Sequence, residues 1–182
     1  HNPYVSTQHG VKGESHDTVL FIAANSSHDP VVNISKFFEL WSTYEIKLAE
    51  FERFYYAYKN MLNDIESNIH MKITDLKKVK HKEYIFQSVS DFSEAYEENV
   101  YYQGLIKNDI DKFLGKDGVT SAKACLKENL VYGALSAYKL FYVGCSRARK
   151  NLSIIIDKKD VQGFEEPLIR KFETCGFKIK ND

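Results

Sequence analysis

Thr18-Val19-Leu20-Phe21-Ile22-Ala23-Ala24 is a continuous apolar run, of the sort that forms a strand buried in a parallel sheet. Immediately upstream, Gln8-His9-Gly10-Val11-Lys12-Gly13-Glu14-Ser15-His16-Asp17 is dense in polar side chains and glycine. Before that loop, Tyr4-Val5-Ser6-Thr7 reads as the end of another strand. Strand, polar loop, strand is the arrangement in which α/β proteins keep their ligand contacts.

The end of the chain has the same texture. Thr120 or Ser121 can cap a helix entering Ala122-Lys123-Ala124-Cys125-Leu126. A further helical stretch with Leu135, Tyr138, Leu140, Phe141 and Tyr142 runs into Ser146-Arg147-Ala148-Arg149-Lys150. Leu152-Ser153-Ile154-Ile155-Ile156-Asp157 then reads as a strand. Glu165 to Cys175 reads as a short amphipathic helix closed by Gly176, and Phe177-Lys178-Ile179 as a final edge strand.

Between these two parts, from about Ser26 to about Ala134, the pattern is helical. Ile34, Phe37, Trp41, Tyr44, Leu48, Phe51, Tyr55, Tyr58, Leu62, Ile65 and Ile69 recur at steps of three and four, which predicts one long helix burying that face. At 1.5 Å per residue it would span on the order of 50 Å. Val89, Phe92, Tyr96, Val100, Ile106, Ile110 and Phe113 form a second stripe suited to an antiparallel return. Nine aromatic residues lie between Phe37 and Tyr58; aromatic rings can stack on bases, but helical spacing favours core packing. The basic stretch Lys72 to Lys82 reads as a solvated turn between the two stripes, with phosphate contact as the competing reading.

With 43% hydrophobic residues in 182, the chain can build a packed core. No run approaches the ~20 apolar residues of a membrane span, and His1 to Gly10 lacks a signal-peptide layout. Lys+Arg and Asp+Glu both total 25, so net charge points to no partner and any nucleic-acid contact must be local. Cys125, Cys145 and Cys175 are widely spaced, with no C-x-x-C pair; they read as small side chains in a reducing cytoplasm rather than zinc or disulfide partners. His9, His16, Asp17 and His28 are metal-ligand types, but their spacing follows no zinc pattern.

Two segments carry chemistry. Ser6-Thr7-Gln8-His9-Gly10-Val11-Lys12-Gly13-Glu14-Ser15-His16-Asp17-Thr18-Val19 resembles motif V of the UvrD-like superfamily 1 helicases, T-x-H-x-x-K-G-L-E-[FYW]-[DP]-x-V. Leu140-Phe141-Tyr142-Val143-Gly144-Cys145-Ser146-Arg147-Ala148-Arg149-Lys150-Asn151-Leu152 resembles motif VI, L-x-Y-V-[AG]-x-[ST]-R-A-x-x-x-L, again followed by a strand. The resemblance implies an α/β fold, a partial RecA-like parallel sheet with a large helical insertion. It assigns residues 1–25 and 135–182 to the second motor domain and 26–134 to the insertion.

It further implies the C-terminal part of an ATP-dependent DNA helicase or translocase of repair or defence, with single-stranded DNA and ATP as ligands. Arg147 would be the arginine finger, a cation that stabilises charge on a phosphate held by another domain. Lys12, Gly13, Glu14 and Ser15 would face the nucleotide, and Thr7 and His9 the DNA backbone. Aligned without gaps, the usual Leu is Glu14 and the usual ribose-binding Glu is Ser15; either residue can take the ribose role. Without the motif, Arg147, Arg149 and Lys150 would read as cations complementing a helix C-terminus. No G-x-x-x-x-G-K-[ST] loop and no magnesium motif occurs, so ATP and Mg2+ would be bound by the rest of a longer protein and the chain would be inactive alone. The insertion would grip duplex, gate DNA or dock a protein partner. A reading from another class is a non-catalytic helical adaptor that keeps a decayed motor half.

Overall fold

The computed structural model describes residues 14–77, 82–116 and 118–180. The apolar run at Thr18 forms β1 (His16–Ala23). Helices α1 (Ile34–Thr43) and α2 (Leu48–Ile69) follow, then α3 (Lys82–Tyr96), α4 (Val100–Leu105), α5 (Lys107–Lys116), α6 (Val119–Cys125) and α7 (Asn129–Ser146). Strand β2 (Ala148–Ile156) and helix α8 (Glu165–Thr174) close the order. The fold is mixed α/β, mostly helical, with a two-stranded parallel sheet among the described residues. None of its described helices is long and apolar enough to cross a membrane.

β1 and β2 pair in parallel, Val19 opposite Leu152 through Ala23 opposite Ile156. Side chains alternate along each strand, so Phe21, Ala23, Ile154 and Ile156 meet one apolar cluster with α1, α7 and α8. Leu20, Ile22 and Ile155 point the other way and are 57%, 67% and 54% exposed. The continuous apolar run predicts burial on both faces. Only one face is covered among the described residues, because α1, α7 and α8 all lie on the same side.

That cluster is built of rings. Phe38 meets Phe141 edge-on at 5.4 Å between centroids, Trp41 meets Phe172 edge-on at 5.2 Å, and Tyr138 stacks on Phe37 at 5.2 Å. Such geometry aligns positive ring edges with negative faces. A second, larger cluster unites α2 to α6 with the first half of α7, around Phe51, Tyr58, Ile65, Ile85, Tyr102, Phe113 and Val131. Residues Ile34, Phe37 and Phe38 of α1 belong to the sheet's cluster rather than to this one. Most of the aromatics from Phe37 to Tyr58 are packed inside, while Tyr56 is 58% exposed.

The single long helix predicted from Ile34 to Ile69 is two helices. Ser42 and Thr43 hydroxyls donate back to the Glu39 carbonyl, an alternative to continuing the helix, and Tyr44 is extended. The interruption is held by a tyrosine from far along the chain. Tyr101 Oη accepts from the Lys47 amide and donates to the Lys47 carbonyl, both at 2.9 Å. The antiparallel return is likewise three helices, α3 to α5, with Asn99 capping α4 through the Tyr101 and Tyr102 amides. Within the basic stretch Lys72 to Lys82, Ile73 and Leu76 are buried in a 3-10 turn and its exit; residues 78–81 lie outside the described residues.

Other expectations are adjusted locally. Ser121 sits inside α6 and reaches back to both the amide and the carbonyl of Gly118, which is the N-cap. Gly176, at φ +88°, closes α8 by donating to the Glu173 carbonyl. Residues Phe177 to Ile179 form no strand; Phe177 instead packs edge-on against Phe172 at 5.3 Å.

Replacing Tyr101 with Phe leaves the Lys47 amide and carbonyl without their partner. The expected cost is about 1–3 kcal/mol in urea-unfolding free energy, with helix content by circular dichroism nearly unchanged. The three free cysteines differ in burial. Burial pushes the Cys125 thiol up to about 12 and Cys145 to about 11. Because the thiolate is the reacting form, a thiol reagent at pH 8 should label exposed Cys175 first and Cys125 only on unfolding.

Candidate functional site

Helix α7 delivers the site. It ends at Ser146, and Arg147 is its C-cap, with φ −83° and ψ −18°. The Arg147 amide donates to the Gly144 carbonyl at 3.3 Å, and its own carbonyl accepts from the His16 amide at 2.9 Å. The chain therefore passes from helix to strand within one residue, and the first strand bond joins Arg147 to His16, the first residue of β1. This approach requires Gly144. A Cβ there would lie 2.5 and 2.8 Å from two ring carbons of Phe21, below any normal contact, so the last turn of α7 rests directly on the β1 ring.

The pairing is irregular at this end. His16 is opposite Ala148 but Thr18 is opposite Asn151, so β2 carries one extra residue and Arg149 and Lys150 together face Asp17. A β-bulge of this kind re-aims consecutive side chains. Both cations reach β1's leading end. Arg149 Nε donates to Ser15 Oγ at 2.7 Å, and Lys150 Nζ pairs with Asp17 at 2.7 Å. Asn151 Nδ2 donates to Thr18 Oγ1 at 3.3 Å. Glu14 lies 3.7 Å from His16 Nε2.

The charges are unevenly satisfied. Lys150 is matched by Asp17. Arg149 is tied to a neutral hydroxyl. Arg147 Nε is buried with no hydrogen-bond partner among the described residues, an arrangement that costs free energy unless a ligand or another domain completes it. Among the described residues neither guanidinium pairs with an acid, so the cluster offers unbalanced positive charge to an anion.

Of the residues singled out from sequence, Glu14, Ser15 and Arg147 come together here. Thr7, His9, Lys12 and Gly13 lie outside the described residues. Asp17 is engaged by Lys150, and among the described residues no group of three or more histidine, cysteine, aspartate or glutamate side chains is placed to hold a metal. Sequence reasoning did not single out the Asp17–Lys150 pair or the role of Arg149. Their signal was the run of polar residues in both segments, but the bulge that aligns them is visible only in three dimensions.

Placing valine at Gly144 should cost about 1–3 kcal/mol through overpacking against Phe21. A Phe21→Ala change should then cost less in the Gly144→Val background than alone, measured as a double-mutant cycle in urea unfolding. No protein-family model, curated protein or solved structure matches this chain.

Proposed function

We propose that this chain is the C-terminal part of an ATP-dependent DNA helicase or translocase of the UvrD-like kind, contributing the arginine finger of its second, RecA-like motor domain. One observation carries the reading: two segments that resemble successive motifs of that family, lying 134 residues apart at Ser15 and Arg149, are hydrogen-bonded neighbours. Motor ATPases need such a juxtaposition, since the loop that feels the DNA must be coupled to the cation that feels the phosphate.

ATP and its Mg2+ bound by another domain supply the phosphoryl chemistry. The fit to the phosphate rests on the buried Nε of Arg147, which has no partner among the described residues; those residues offer no ligand set for the metal. As the cleft closes, Arg147 would meet the terminal phosphate and stabilise charge that develops there, in a site from which water is excluded. Rigid mounting matters for this role. Arg147 is held at a helix end by Gly144 on one side and by His16 on the other, so its position follows any movement of β1. Glu14 and Ser15 stand at the nucleotide side, and Thr7 and His9 would contact single-stranded DNA. Helices α2 to α6 form an accessory body for a protein partner or for duplex.

The test is single-stranded-DNA-stimulated ATP hydrolysis by the polypeptide in which this chain is joined to a phosphate loop. Arg147→Ala should lower turnover by about a thousandfold or more while nucleotide binding persists. Turnover close to wild type in that variant would remove the finger assignment. A wild-type polypeptide without turnover would favour a non-catalytic helical adaptor, for which Ser15 in place of the family's acid is the specific observation.

A further inference from the structure

We propose that Arg149, held by Ser15, is a second phosphate-contacting cation of this site, with Ser15 as its positioning residue. This rests on the reading of Arg147 as a phosphate-facing group. A guanidinium has five N–H donors in a fixed fork. Arg149 gives Nε–H to Ser15 Oγ at 2.7 Å, which among the described residues leaves the four Nη donors free to meet a ligand. The side chain is exposed, so ligand access needs no rearrangement.

The partner's neutrality is the point. Lys150, the other half of the bulge, has its charge cancelled by Asp17 at 2.7 Å. Arg149 is oriented without being cancelled, because a hydroxyl accepts a hydrogen bond and brings no negative charge. A glutamate at position 15, where the helicase pattern has one, would reach the same Nε and neutralise it. The departure at Ser15 therefore changes the electrostatics of the mouth by leaving a second uncompensated guanidinium two residues from Arg147. Two such cations suit a ligand whose anionic groups repeat along a chain, namely a di- or triphosphate, to which arginine forks bind strongly.

The ligand class can be tested on the chain itself with inorganic tripolyphosphate at low ionic strength, following arginine Nε–Hε resonances assigned by the loss of one peak in each variant. Both the Arg147 and Arg149 signals should move. Arg149→Gln should weaken binding about tenfold and Ser15→Ala about threefold. Ser15→Thr should restore wild-type affinity, Ser15→Glu should bind more weakly than Ser15→Ala, and Ser15→Ala should leave the thermal midpoint unchanged. Wild-type affinity in Arg149→Gln, an unmoved Arg149 signal at saturation, or no binding at millimolar tripolyphosphate would overturn the proposal. The motor reading fails separately. Arg149-dependent binding without DNA-stimulated turnover would remove the motor and keep this site, whereas turnover that collapses in Arg147→Ala but ignores Arg149→Gln would remove only the second cation.

Discussion

The parallel pairing of β1 with β2 is the constraint on which the rest of this structure depends, and the contact between Phe21 and Gly144 is what allows it. Parallel strands cannot be joined by a tight turn. Here the connection contains α1 to α7, so the entropy of closing it must be met by packing along the way. Helix α7 does most of this. Its first half is buried in the large helical cluster, and its second half lies on the sheet. The helix can lie flat on β1 only because residue 144 has no side chain to hold it away from the Phe21 ring.

Everything chemical at the site inherits its position from that contact. The helix-to-strand corner puts the Arg147 carbonyl on the His16 amide. Once the first bond is made, the extra residue in β2 brings Arg149 and Lys150 beside Ser15 and Asp17. The result is a small region in which one cation is neutralised, one is oriented by a neutral group, and one has a buried nitrogen without a partner among the described residues. Exposed ion pairs contribute little to stability, so the Asp17–Lys150 pair is better understood as organising the bulge than as holding the sheet together.

The helical body is held by a different economy of contacts, with tyrosine hydroxyls used as tertiary caps. Tyr101 closes the break at Lys47, and Tyr58, fully buried, donates to the Cys125 carbonyl. Tyr55 and Lys59 of α2 both reach Glu128 ahead of α7. Burial tends to raise the Glu128 carboxyl, but the hydrogen bonds from Tyr55 and Lys59 outweigh it and hold the group below its ordinary value. Each of these bonds joins residues distant in sequence, and those to Glu128, the N-cap of α7, tie α2 to the helix that carries Arg147.

The sequence by itself determined the strands at Thr18 and Leu152, the helix leading into Arg147, the amphipathic α8 with its glycine stop, and the interior character of most aromatics. These follow from local periodicity and composition, which act over a few residues. It also singled out Glu14, Ser15 and Arg147, because motif spacing is a linear property. Only the tertiary structure decided where the long heptad stripe breaks, since the Tyr101 hydroxyl that satisfies the Lys47 backbone comes from another helix. It also decided that one face of β1 is covered and the other bare, because an unbroken apolar run contains no instruction about sides. The pairing of Arg149 with Ser15 belongs to the same class: it arises from a register shift between strands, and register exists only when two distant segments meet.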